Sequence, residues 1–217
     1  PPSERVWVER FFREARAVSR INSAHVVKVL AVSSPNEATP FIVMERLRGR
    51  DFGKRLRAEG PLTLRDVADC IIQACDALAN SHAVGVVHRD VKPANLFLAR
   101  GEDGTIVVKV VDFGVARVRE ELVAPGALTL TSTGLMLGTP LYMSPEQVQG
   151  PKHVDHRTDV WSLGVVLYEM LSGARPYAAH ALGDLIAAHL HEVPRPLSRP
   201  GLPAELAALV SQLLGRD

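Results

Sequence analysis

Apolar residues Phe11, Ala15, Val18 and Ile21 recur every three or four positions with charges between them, which predicts an amphipathic helix over 6–21. The period then changes. Segments 26–32 and 41–47 are β-branched and apolar and predict strands, and the turn Ser33-Ser34-Pro35-Asn36-Glu37 joins them as a hairpin. Residues 51–59 predict a short helix ended by Gly60-Pro61. Thr63 stands as the N-cap of a long helix, with Asp66 in place of the usual Glu three residues on. The apolar face of that helix is Val67, Cys70, Ile71, Ala74 and Leu78. Segments 96–98 and 106–111 predict two more strands, joined by a turn at 100–104. Residues 115–138 have little periodicity, and so long a structureless stretch in a compact domain is functional or disordered. From Asp159 helical spacing returns through Val160, Leu163, Val166, Leu167 and Met170, with Gly173 as C-cap, and 203–214 predict a last amphipathic helix. Strands come first and helices dominate later, which predicts an α+β fold.

Composition narrows the classes of function. The 217 residues are 47% hydrophobic, enough for a full core. Lys plus Arg (25) nearly cancels Asp plus Glu (24), so net charge gives no reason to invoke nucleic acid or a membrane surface. The arginines between Arg5 and Arg20 read as a solvated helix face. Cys70 and Cys75 sit five apart in an apolar helical stretch, which suits neither a disulfide framework nor a zinc site; buried free thiols are expected. No signal-peptide pattern opens the chain, and the longest apolar run, 160–171, contains Glu169 and falls short of the ~20 residues that span a bilayer. A cytoplasmic location is the expectation, with any membrane anchor lying beyond this chain. His189 and His191 are read as a polar helix end rather than a metal site.

The chemistry concentrates in His88-Arg89-Asp90-Val91-Lys92-Pro93-Ala94-Asn95 and, after a strand, Asp112-Phe113-Gly114. Magnesium takes hard oxygen ligands, one or two carboxylates together with phosphate oxygens. Asp112 offers a carboxylate at the end of an apolar strand. Asn95 offers a carbonyl oxygen without adding negative charge to a site crowded with phosphates. Asp90 need not be a ligand; a free carboxylate near a nucleophile orients a hydroxyl and accepts its proton. Lys92 can stabilise charge on a transferred phosphoryl group. Gly114 lets the backbone turn sharply after the metal ligand. A lone Asp-Phe-Gly occurs by chance, but eight positions at fixed spacing, followed by it in order, do not.

On these motifs the chain resembles the protein kinases, specifically the bacterial serine/threonine kinases of eukaryotic type, over essentially all 217 residues. The resemblance implies ATP and Mg²⁺ and a two-lobe fold: 1–47 as a partial N-lobe with the regulatory helix, two strands and the start of the hinge, and 48–217 as a mostly helical C-lobe, together one kinase domain. It implies Asp90 as catalytic base, Lys92 on the γ-phosphate, and Asn95 and Asp112 on the metal. His88 and Phe113 would join a packed spine. Met44 would be the gatekeeper, backbone groups of Glu45 and Leu47 would bind adenine, and Phe97 would lie beneath the ring. Lys92, two residues after Asp90, matches the serine/threonine pattern. Gly138 to Glu146 resembles the substrate-docking loop, with Thr139 reaching toward Asp90 and Lys92 and Ser144 in place of the commoner Ala. Arg89 implies control by activation-loop phosphorylation, with Thr131 and Thr133 the sites. Asp159 would scaffold the catalytic loop and also act as an N-cap, and Glu146 would pair with an arginine beyond Asp217. The implied partners are proteins with Ser or Thr acceptors, and autophosphorylation allows for a dimer.

The pattern is incomplete at both ends. No Gly-rich loop and no Val-Ala-Ile-Lys strand precede the first helix, whose Glu14 should pair with that strand lysine. The expectation is therefore a fragment of a longer kinase, truncated before the last helix and weak or inactive alone. The alternative is a non-catalytic scaffold or pseudokinase. Intact Asp90, Asn95 and Asp112 favour the enzyme, because a binding module has no chemical need of all three.

Overall fold

The computed structural model describes residues 2–35, 37, 39–101, 103–113, 140–150, 154–179 and 181–215. The chain opens with helix α1 (Pro2–Val18), whose buried residues Phe11, Phe12, Ala15 and Val18 follow the helical period. The helix ends three residues short of the sequence expectation: Ile21 closes a turn on the Val18 carbonyl instead. Strands β1 (Val29–Val32) and β2 (Ile42–Met44) pair antiparallel as the expected hairpin, with an irregularity between Val29 and Ala31, and α1 packs on β1.

Only the second half of the predicted strand 26–32 belongs to that hairpin. Val26 bridges Val110 in parallel, Val27 N–H donates to the Val110 carbonyl, and Val110 N–H donates to the His25 carbonyl. Val110 lies in a second, three-stranded antiparallel sheet: β3 (Gly49–Asp51), β4 (Leu96–Arg100) and β5 (Ile106–Val110), in the order β3-β4-β5. Residues 25–27 thus stitch the N-terminal hairpin to the edge of the larger unit.

The turn from β3 into α2 (Phe52–Glu59) is set by Asp51, whose carboxylate accepts the Lys54 N–H at 2.8 Å as an N-cap. Helix α3 (Leu64–Ala83) begins as its sequence predicts: Thr63 accepts the Asp66 N–H at 3.1 Å and donates to the Asp66 carboxylate at 2.8 Å. It buries Val67, Cys70, Ala74, Ala77 and Leu78. Cys70 is buried as expected and its thiol is pushed up to about 11, by burial first and then by the charges of Asp66 and Asp69. Cys75 is exposed, against expectation.

The C-terminal half adds α4 (Pro145–Gln149), α5 (Arg157–Ser172), α6 (Leu182–His191) and α7 (Ala204–Leu213). Helix α5 is apolar nearly all round, from Trp161 to Leu171, and such a helix is stable only when wrapped by protein. It is the axis of the core, with α3 on one side and α7 on the other. It begins at Arg157 rather than Asp159, which places Asp159 inside the first turn. Gly173 closes it at φ 75°, as the C-cap expectation requires. His189 was expected at a polar helix end, yet it is buried with its ring 4.9 Å from Tyr177 and 6.2 Å from Trp161; His191 is exposed. Among the described residues no helix is long and apolar enough to cross a membrane.

Candidate active site

The eight-residue run lies between α3 and β4. Pro93–Asn95 forms a single 3-10 turn that leads directly into β4. The loop before it has no regular backbone ladder, so its shape depends on long-range bonds. Asp159 supplies them. Its fully buried carboxylate accepts the His88 N–H at 2.8 Å and the Arg89 N–H at 2.7 Å, and lies 2.7 Å from His82 Nε2. Asp159 is therefore no N-cap, because its side chain is spent on the loop seventy residues upstream.

His88 is buried and bridges the loop to the segment after β5 that carries Asp112. Its Nδ1 accepts the Asp90 N–H at 3.2 Å, which leaves the ring N–H on Nε2 to donate to the Val111 carbonyl at 2.9 Å. Phe113 lays its ring 4.6 Å from that imidazole. Two residues of the site have left-handed backbones, Arg89 at φ 64° and Asp112 at φ 58°. Neither is glycine, and such conformations cost about 1–3 kcal/mol each unless the surroundings enforce them.

Asp90 is held on one side only. Its Oδ2 receives Lys92 Nζ at 2.6 Å and Asn95 Nδ2 at 3.1 Å, while Asn95 Nδ2 also donates to the Asp90 carbonyl at 2.8 Å. The other carboxylate oxygen, Oδ1, has no hydrogen-bond partner among the described residues. Asn95 is buried and both of its amide protons are used on Asp90, so its side-chain oxygen is the atom left for another ligand. The Asp112 carboxylate, on an exposed residue, has no protein partner among the described residues. An amide oxygen and a carboxylate are hard donors of the kind magnesium takes, so the donor set fits that ion by its chemistry.

The adenine expectation falls on the segment after β2. Met44 ends β2 and is half-buried. Glu45 N–H donates to the Lys28 carbonyl at 2.9 Å. The Glu45 carbonyl and the Leu47 N–H make no hydrogen bond to another described residue. Phe97 lies in β4, opposite Lys109 of β5. Sequence reasoning missed the role of that lysine. Lys109 Nζ meets Glu45 Oε1 at 2.7 Å, and the same oxygen accepts the Lys28 N–H at 2.8 Å. Burial pushes Glu45 up, but the bonds from Lys109 and Lys28 outweigh it and hold the group below the usual carboxylate range.

Glu14 is half-buried on α1. Glu146 lies in α4 and accepts the buried Thr158 hydroxyl at 2.8 Å. Gly114, Thr131, Thr133 and Thr139 lie outside the described residues. The segment resumes as a 3-10 turn at Pro140–Tyr142, where the Tyr142 hydroxyl donates to Glu169 at 2.6 Å and its carbonyl accepts Ser162 Oγ at 2.7 Å. Burial, then the charge and bond of Glu169, push that phenol far up.

Residues 2–216 match the family model described as "Protein kinase domain". The chain is 35% identical over 214 residues to "Serine/threonine-protein kinase pkn3" of Myxococcus xanthus, covering 99% of this chain and 39% of the relative. It is 38% identical over 213 residues to "Serine/threonine-protein kinase PknB" of Mycobacterium tuberculosis strain H37Rv, covering 96% of this chain and 33% of the relative. A "Probable serine/threonine-protein kinase PknB" of Bifidobacterium longum is 36% identical over 222 residues, covering 98% of this chain and 31% of the relative. The chain thus spans between three tenths and two fifths of the length of these curated relatives. It belongs to the protein kinase domain family.

Proposed function

We propose that the protein carrying this member of the family transfers the γ-phosphoryl group of ATP to serine and threonine hydroxyls of proteins. The observation that carries the reading is the one-sided grip on Asp90. Lys92 and Asn95 fix Oδ2, which leaves Oδ1 to orient the acceptor hydroxyl and take its proton. Lys92, whose ammonium lies 2.6 Å from that carboxylate, would meet negative charge on the transferred phosphoryl group. Asn95 through its side-chain oxygen and Asp112 through its carboxylate would hold Mg²⁺, which neutralises phosphate charge when bound. The Glu45 carbonyl and Leu47 N–H would pair with adenine, beside Met44 and above Phe97. Thr139 would favour a hydroxyl acceptor, and Arg89 would receive a phosphate on Thr131 or Thr133.

The test uses the full-length protein with γ-labelled ATP, Mg²⁺ and a peptide library containing Ser, Thr and Tyr acceptors. Label is expected on Ser and Thr. Asp90→Asn should lower the rate by about 10²–10⁴-fold while nucleotide binding stays within a few-fold. Absence of transfer from the wild type, together with tight nucleotide-independent binding of a protein partner, would overturn the enzyme in favour of the scaffold.

A further inference from the structure

Helix α4 is only five residues long, and its start is fixed by a reciprocal pair. Ser144 Oγ accepts the Gln147 N–H at 3.3 Å, and Gln147 Oε1 accepts the Ser144 N–H at 3.1 Å. A glutamate would serve that capping box equally well, since only the oxygen is used. The Gln147 amide has a second end, however. Its Nε2 donates to the Arg89 carbonyl at 2.8 Å, fifty-eight residues away.

That carbonyl is half of the peptide unit that carries Asp90. The other half, the Asp90 N–H, donates to His88 Nδ1. Arg89 itself sits at φ 64°, and its own N–H is held by Asp159. Remove the hold on the carbonyl and the peptide plane can rotate toward an ordinary conformation, carrying the Asp90 side chain with it. Only a group with both an acceptor and a donor can cap α4 and hold Arg89 together. Glutamate lacks the donor and lysine lacks the acceptor.

We propose that Gln147 is a positioning residue for phosphoryl transfer. It clamps the Arg89–Asp90 peptide to the helix that follows the Pro140–Tyr142 turn, so that the placement of Asp90 depends on α4 being formed. The inference rests on the reading above, in which Asp90 takes the acceptor proton.

Two variants of the full-length protein separate the clamp from the cap. Gln147→Glu keeps the capping oxygen and loses the donor; Gln147→Met loses both. If the clamp acts, kcat falls by about five- to tenfold in both, which is the scale of one hydrogen bond, and the KM for ATP stays within about twofold. Hydrogen exchange of the 88–90 amides should accelerate to a similar extent in both, while the α4 amides stay protected in the glutamate variant and lose protection in the methionine variant. Wild-type kcat and unchanged 88–90 exchange in Gln147→Glu would overturn the inference and leave Gln147 as a cap. A wild type without phosphotransfer would remove the reading of Asp90, and the exchange rates would still decide whether the clamp exists.

Discussion

Asp159 holds Arg89 by the backbone: a carboxylate at the buried start of α5 accepts, at 2.7 Å, the N–H of a residue in the left-handed conformation, at φ 64°. The same carboxylate serves the His88 N–H and His82. Asp159→Ala would orphan two backbone donors in or near the core, each costing about 1–3 kcal/mol. We expect a loss of about 3–4 kcal/mol in urea or guanidinium unfolding. Asp159→Asn keeps one accepting oxygen and should lose about half as much. Equal stability of the alanine variant and the wild type would contradict this account of the loop.

The contrast between Thr63 and Asp159 explains what the sequence made legible. Thr63 and Asp66 are three residues apart, so their cap is written locally and the start of α3 was predicted correctly. The bonds of Asp159 reach back about seventy residues, and nothing near it in the chain announces them. Its role as a scaffold came from family resemblance, and its reading as an N-cap came from local pattern and was wrong. β3 escaped for a related reason. Gly49-Arg50-Asp51 has no strand period and is a strand only because β4 lies beside it. Val26 and Val27 looked like the start of one strand with Val29–Val32, but their partner is Val110, and period alone does not name partners. His189 looked polar because its neighbours His191 and Glu192 are; the Tyr177 and Trp161 rings that bury it come from elsewhere. Residue types and the family resemblance singled out Asp90, Lys92 and Asn95, but the one-sided hold on Asp90 needed the geometry. Gln147 was not singled out in the sequence, because its bond to Arg89 spans fifty-eight residues.

The Glu45–Lys109 pair predicts an acid limb of stability. Glu45 is depressed in the folded protein, against an unfolded value of about 4.3. Its contribution is therefore complete above that value and is lost as the pH falls through the lower, folded one. Glu45→Gln should flatten the decline of stability below about pH 4.5 and leave the slope above pH 6 unchanged. Lys109→Met should cost about 0.5–1.5 kcal/mol at pH 7, because it takes one of two hydrogen-bond donors from a partly buried carboxylate, and should shrink the same acid limb. Denaturation midpoints measured between pH 3 and 7 check both. An acid limb identical to wild type in Glu45→Gln would remove Glu45 from the account.

Two glycines should respond to alanine with opposite signs. Gly49 begins β3 at φ 143°, and a Cβ there would lie 2.0 Å from the Leu98 carbonyl oxygen on the neighbouring strand. That oxygen is backbone and cannot swing aside as a flexible side chain would. The substitution has to push β3 from β4, and β3 leads directly into the Asp51 cap of α2. We expect Gly49→Ala to destabilise by about 2–4 kcal/mol. Gly183 lies in the first turn of α6, where an added Cβ meets nothing within 4 Å. Replacing it removes the entropy that glycine loses in a helix, so Gly183→Ala should stabilise by up to about 1 kcal/mol. Thermal or chemical unfolding of the two variants side by side checks the pair. If both move stability in the same direction, the close approach of β3 to Leu98 is not what requires glycine at position 49.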